Sequence, residues 1–173
     1  VGFQEENLRP DFRRRAQRPA VSTNRVIVFY SQALMYLGPV LLVAVLVADP
    51  RWADQIPALI VMIGAAVTLR GLQVPLSKYS YLTQAGLVAL AGSLLVGLPA
   101  TVLAVGVGTA ATDLAWLRKT SQAAAVNAGR EVVATVAAFG VYAVVVRASG
   151  VPPGLHLETL PALFFYTLSY FAF

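Results

Sequence analysis

The sequence predicts an all-α, polytopic membrane protein with about six transmembrane helices and both termini in the cytoplasm. Three observations predict it. Of 173 residues, 58% are hydrophobic and 12% charged, about half the charge of an ordinary soluble domain, and the mean hydropathy is +0.70. A soluble chain this apolar lacks the polar side chains to cover its surface, a requirement that a bilayer removes. The apolar residues also come in runs of spanning length, separated by short polar segments that hold nearly all the charge. Finally, the basic residues fall almost entirely on one side of the implied topology.

Residues 1–25 form a polar tail with six arginines, and residues 26–173 form the six-helix transmembrane domain. The first span is Val26–Ala48, with Gly38-Pro39 inside it as a candidate kink. "DPRWAD" makes a short loop, with Trp52 at interface height. The second span, Gln55–Leu72, ends with Arg70, whose stem can snorkel to the head-groups. "QVPLSK" is the next loop.

No charge occurs between Lys78 and Asp113. One helix from Tyr79 to Trp116 would be about 57 Å long at 1.5 Å per residue, far over the hydrocarbon thickness of about 30 Å. The stretch therefore reads as a tight hairpin broken at Gly97-Leu98-Pro99, with span three at Tyr81–Val96 and span four at Pro99–Trp116. "LRKTSQAAAVNAGR" connects to span five, Glu131–Val146. Pro152-Pro153-Gly154 breaks the chain, and span six runs from Thr159 to the end. Because the last apolar run reaches Phe173, the chain is expected to continue beyond it.

With the N-terminus cytoplasmic, the cytoplasmic segments hold Arg9, Arg13, Arg14, Arg15, Arg18, Arg25, Arg70, Lys78, Arg118, Lys119 and Arg130; the opposite side holds only Arg51 and Arg147. This obeys the positive-inside rule, and merging spans three and four would spoil it. The net charge of +5 is thus mostly topology, and no nucleic-acid partner is expected. The localisation expected is a bacterial inner membrane.

Small residues recur every fourth position in the hairpin: Ala85, Ala89, Ser93 and Gly97, then Ala100, Ala104, Gly108 and Thr112. Such a step keeps one helix face and lets backbones approach closely in lipid. The ladders predict contact between spans three and four.

Charges within spans are scarce, and five polar residues fall at one depth: Arg70, Asp113, Asn127, Arg130 and Glu131. A carboxylate there is costly unless paired, so Asp113 is expected to pair with Arg70 or Arg130. The cluster reads either as a structural salt bridge or as a ligand site or switch. Asn127 also suits an N-cap, and Glu131 a first helical turn. Arg13, Arg14, Arg15 and Arg18 suit lipid head-groups or an acidic partner. The aromatics of "LFFYTLSYF" suit interface belts and lipid-facing surface.

Zero cysteines and one histidine, His156, exclude disulfides, iron–sulfur clusters and bis-histidine haem. Nucleophile triads, HExxH, P-loop and Rossmann patterns are also missing. No cofactor, metal or catalytic residue is expected, and the chain reads as non-enzymatic.

"YSYLTQAGLVALAGSLLVGLPATVLAVGVGTAATDLAWLRK" followed by "VNAGREVVATVAAFGVYA" resembles the N-terminal multi-span sensor region of bacterial HD-GYP and GGDEF-type signalling proteins. It is also similar to the substrate-binding subunits of energy-coupling-factor transporters. The likeness covers roughly residues 55–147. It implies a membrane sensor or anchoring domain whose output domain would follow Phe173. Competing expectations are an accessory subunit of a respiratory or photosynthetic complex and a small-molecule-binding transporter subunit. Partners would then be lipids, other membrane subunits or a second copy of the chain.

Overall fold

The computed structural model describes residues 21–72, 74–77, 80–82, 84–154 and 156–172. Arg9, Arg13, Arg14, Arg15, Arg18 and Lys78 lie outside them. The chain divides into two units, Val1–Ser31 and Gln32–Phe173. Helix α1, Val21–Ala48, begins in the first and ends in the second. In the first unit Ser31 Oγ donates to the Ile27 carbonyl at 2.8 Å, and Val26 to Phe29 are exposed.

The second unit holds the rest. After α1, a 3-10 turn, Pro50–Gln55, is capped by the Asp49 side chain. Trp52 Nε1 donates to the Leu46 carbonyl at 3.3 Å, fixing the reversal into α2, Ile56–Gly71. A short antiparallel pair follows, β1 at Val74–Ser77 and β2 at Ser80–Leu82. Next come α3, Ala85–Leu95, and α4, Leu98–Ala111, which continues as a π-helical turn over Thr112–Trp116. Helix α5 spans Ser121–Ser149. A 3-10 turn, Leu157–Thr159, leads into α6, Leu160–Phe171.

Four of these helical stretches are long and apolar enough to cross a membrane: Arg25–Ala48, Pro50–Gly71, Leu98–Trp116 and Ser121–Ser149. The other two expected spans are shorter than anticipated. Helix α3 has 11 residues and α6 has 12, so each rises only about 16–18 Å. Span three was expected from Tyr81, but Ser80–Leu82 is extended and paired with Val74–Ser77. Apolar aromatic residues suit a strand as well as a helix, so hydropathy does not separate the two. Conversely, α5 starts ten residues before the expected Glu131, because "SQAAAVNAGR" is itself helical and Thr120 caps it by accepting from Ala123 N.

The break within Ser80–Lys119 is at Gly97, whose φ of +120° only glycine adopts without strain. Helices α3 and α4 fold back there: Gly92 lies against Thr101, with 2.7 Å between a Cβ built on the glycine and Thr101 Oγ1. Side-chain contacts fix the directions of the remaining helices. Ala66 meets Gly108 and Val67 meets Thr112, so α2 and α4 run parallel. Gly106 meets Val132 and Asp113 meets Asn127, so α4 and α5 run antiparallel. Tyr142 bonds Gly154 at one end of the α5–α6 pair, and Glu131 bonds Tyr170 at the other.

The ladder residues of α4 are all buried, as are Ala85, Ala89 and Ser93 of α3. They do not simply face each other, however. Gly108 packs on Ala66 of α2, where a Cβ would sit 2.6 Å from the alanine Cβ. The reason is that α4 is the central helix, 61% buried against 11–39% for the other long apolar helices. Its small residues therefore serve several neighbours. In the same way α1 approaches α5 through Gly38, which rests on the Gly129 backbone, and Gly129 rests on the Leu34 carbonyl.

Candidate functional site

The densest polar chemistry lies where the C-terminal ends of α2, α4 and α6 meet the third turn of α5. Arg70 comes from the last turn of α2. Asp113 sits in the π turn that ends α4. A π turn widens the helix by one residue and often marks a functional position. Here the Leu117 amide bonds the Thr112 carbonyl and the Lys119 amide bonds the Asp113 carbonyl at 2.8 Å. Arg118 between them is left-handed, with φ of +50°, as in a helix-terminating turn. That reversal folds the Lys119 side chain back over Asp113. Asn127 and Glu131 lie four apart on one face of α5, with Arg130 beside them.

Arg70, Asp113 and Glu131 are 2%, 0% and 3% exposed. Arg70 Nε donates to Asp113 Oδ1 at 3.0 Å and Nη2 donates to Oδ2 at 3.1 Å. Its remaining nitrogen, Nη1, donates to Glu131 Oε1 at 3.3 Å. Asp113 also accepts from Asn127 Nδ2 at 2.6 Å and Lys119 Nζ at 3.2 Å. Glu131 also accepts from Arg130 Nη2 at 3.0 Å and from the Tyr170 hydroxyl. All five residues expected to cluster thus sit within one hydrogen-bonded network. Arg70 pairs with Asp113, and Arg130 contacts Glu131.

Three sequence expectations give way here. Asn127 is not the N-cap of α5, because the helix begins at Ser121; its amide is turned to Asp113 instead. Glu131 is not in the first turn, so its partners are side chains rather than helix-end amides. Tyr166 and Tyr170 are also not lipid-facing aromatics. They are 1% and 8% exposed, and the Tyr166 hydroxyl lies 3.4 Å from Ser93 Oγ. Sequence reading missed Tyr170 and Lys119 as members of the network. The usable signal for Tyr170 was the four-residue step Ala162, Tyr166, Tyr170, which marks the buried face of α6. Phe164, Phe165, Leu168 and Phe171, off that face, are exposed as expected. His156 is exposed in the turn before α6.

A single buried cation faces two buried carboxylates, and the excess negative charge is met by Lys119 and Arg130, whose side chains are 34% and 40% exposed. Among the described residues no buried side-chain polar atom lacks a hydrogen-bond partner. The four acceptor positions of Asp113 are filled by the protein's own donors. Comparison with known protein families, characterised proteins and solved structures finds no match. The reading of the site therefore rests on its geometry. A carboxylate with every lone pair engaged is a lock between helices. It has no acceptor left for a metal ion or an incoming proton donor. No group of three or more His, Cys, Asp or Glu side chains suited to a metal occurs among the described residues.

Proposed function

We propose that this chain is a non-catalytic, multi-pass membrane domain that anchors and senses, inserted with its N-terminus and the Arg70–Asp113–Glu131 clamp on the cytoplasmic side. The observation that carries the reading is the clamp itself. One saturated ion-pair network ties the ends of α2, α4 and α6 to α5, at the end of the bundle that also holds Arg118, Lys119 and Arg130. Charge partition supports this orientation. In it α3 and α6, though short, return the chain across the bilayer, completing six passages.

The sensor character rests on α6. Its buried face is tied to the bundle by Tyr166 to Ser93 and Tyr170 to Glu131. Breaking these few polar latches would free α6 from the bundle, the kind of helix shift that signalling transitions use. In this reading a cytoplasmic output domain follows Phe173 and is driven by α6.

The deciding experiment is the mass of the native protein and its partners, purified in mild detergent. A single chain well above 18.4 kDa supports the sensor reading. A chain near that mass with fixed stoichiometric partners would replace it with a subunit of a larger membrane complex.

A further inference from the structure

The π turn that ends α4 carries more than Asp113. Three residues on, Trp116 is 58% exposed. Its ring is nonetheless fixed. It lies across Gly71 at the end of α2, where a Cβ built on the glycine would sit 3.0 Å from the ring. Two residues further, Arg118 is exposed and has no acidic partner among the described residues. Asp113, the nearest carboxylate along the chain, already has its acceptor positions filled by Arg70, Lys119 and Asn127. The other tryptophan, Trp52, precedes the opposite end of α2 and has the opposite surroundings. It is flanked by Asp49, Arg51 and Asp54, and Arg51 is bound to Asp49 at 2.7 Å. The chain around Trp52 is thus net acidic, whereas Asp113, Arg118 and Lys119 make the chain around Trp116 net basic.

We propose that Trp116 and Arg118 form a binding site for an anionic phospholipid, with Arg118 holding the phosphate and the Trp116 ring lying against the start of the acyl chain. An indole fixed at the end of a spanning helix suits the head-group level of a bilayer, and a guanidinium without a carboxylate suits a phosphate. Trp116 rests on Gly71, next to Arg70, and shares its turn with Asp113. The lipid site is therefore joined to both partners of the clamp's central ion pair. The inference adds a ligand to the membrane reading above and rests on it.

The full chain, as Trp52→Phe so that Trp116 is its one tryptophan, is reconstituted into phosphatidylcholine vesicles. These contain a small fraction of lipid brominated on the upper part of its acyl chains, either phosphatidylglycerol or phosphatidylcholine. Quenching of tryptophan fluorescence is compared at equal fractions of the two. Phosphatidylglycerol is expected to be enriched about fivefold at Trp116, the factor one basic residue contributes near a membrane surface. Arg118→Gln is expected to remove the enrichment, and Arg118→Lys to keep most of it. Trp116→Phe, which leaves Trp52, is expected to show no preference for phosphatidylglycerol. If Trp52→Phe does not fold, the difference between the parent chain and Arg118→Gln reads the same enrichment. Equal quenching of Trp116 by the two lipids would overturn the site alone, as would an enrichment that survives Arg118→Gln or appears equally at Trp52. So would a Trp116 shielded from both lipids beside a quenched Trp52, as when an acidic protein or a second copy covers the turn. No quenching of either tryptophan by either lipid would overturn the membrane reading with it.

Discussion

Arg70 and Asp113 stand 43 positions apart in the chain and meet through two guanidinium nitrogens and both carboxylate oxygens, at 3.0 and 3.1 Å. Bidentate pairing of this kind fixes direction as well as distance. It locks two parallel helices at one height. Removing one partner breaks a buried pair, which costs up to about 3–5 kcal/mol, less here because Glu131 still faces Arg70 and Lys119 still faces Asp113. Asp113→Asn and Arg70→Gln should each destabilise the chain by at least about 1 kcal/mol and at most that amount, measured by reversible unfolding in detergent. In the double variant the losses should fall well short of additive. Additive losses would mean that the pair is not coupled.

The two tyrosine latches of α6 should differ in strength. Tyr170 donates to a carboxylate that also pairs with two arginines, and bonds to charged groups are worth about 1.5–3 kcal/mol. Tyr166 meets a neutral serine at 3.4 Å, at the long end of useful geometry, and neutral bonds contribute about 0.5–1.5 kcal/mol. Tyr170→Phe should therefore cost more than Tyr166→Phe, and it alone should increase hydrogen exchange at the C-terminal end of α6. The reverse order would show that Glu131 is not held by Tyr170.

Glycines sort into two groups by what surrounds them. A Cβ at Gly38, Gly108 or Gly129 would collide with the neighbouring helix, whereas Gly64 and Gly140 have nothing within 4 Å. Gly108→Ala and Gly129→Ala should destabilise by about 1–3 kcal/mol, the usual cost of overpacking. Gly64→Ala and Gly140→Ala should be neutral or stabilise by up to about 1 kcal/mol through helix propensity. Thermal melts of the four variants side by side test the contacts that α4 makes with α2 and α1 makes with α5.

At the opposite end of the bundle, Asp49 offers a pH test. The Arg51 side chain donates to both its oxygens at 2.7 Å, and this holds the carboxyl below its usual value of 3.8. A carboxyl depressed on folding contributes stability above its unfolded pKa and loses it as pH falls through the folded one. The pair is solvent-exposed, so the effect on unfolding should be small. The readout is the Asp49 titration by NMR: it should shift upward in Arg51→Gln. An unchanged midpoint would show that the pair does not persist in solution.

The polar cluster was legible because charge is so scarce: an Asp, a Glu and two Arg near the ends of apolar runs stand out, and a bilayer leaves them little choice but one another. The directions of the long helices were legible for a related reason, since Gly97-Leu98-Pro99 is the break that the apolar stretch allows. Partnership was harder to read. A four-residue step identifies the face of α4 that carries Gly108 but not the neighbour it meets, because a central helix has several. Tyr170 was hidden by its own chemistry, since a tyrosine suits an interface belt as well as a buried hydrogen bond. Helix α3 came out short because hydropathy is blind to whether Ser80–Leu82 is extended or coiled.

The separations within the clamp also set an order of events during synthesis. Arg70 emerges from the ribosome 43 residues ahead of Asp113 and 61 ahead of Glu131, and Glu131 waits 39 more for Tyr170. When α2 emerges, its arginine lacks both of the carboxylates that it pairs with in the fold. The central helix supplies the first carboxylate and α5 the second. The Tyr170 latch closes only when α6 arrives. A nascent chain that stops before α4 would thus hold Arg70 without either of the two carboxylates that it meets in the fold.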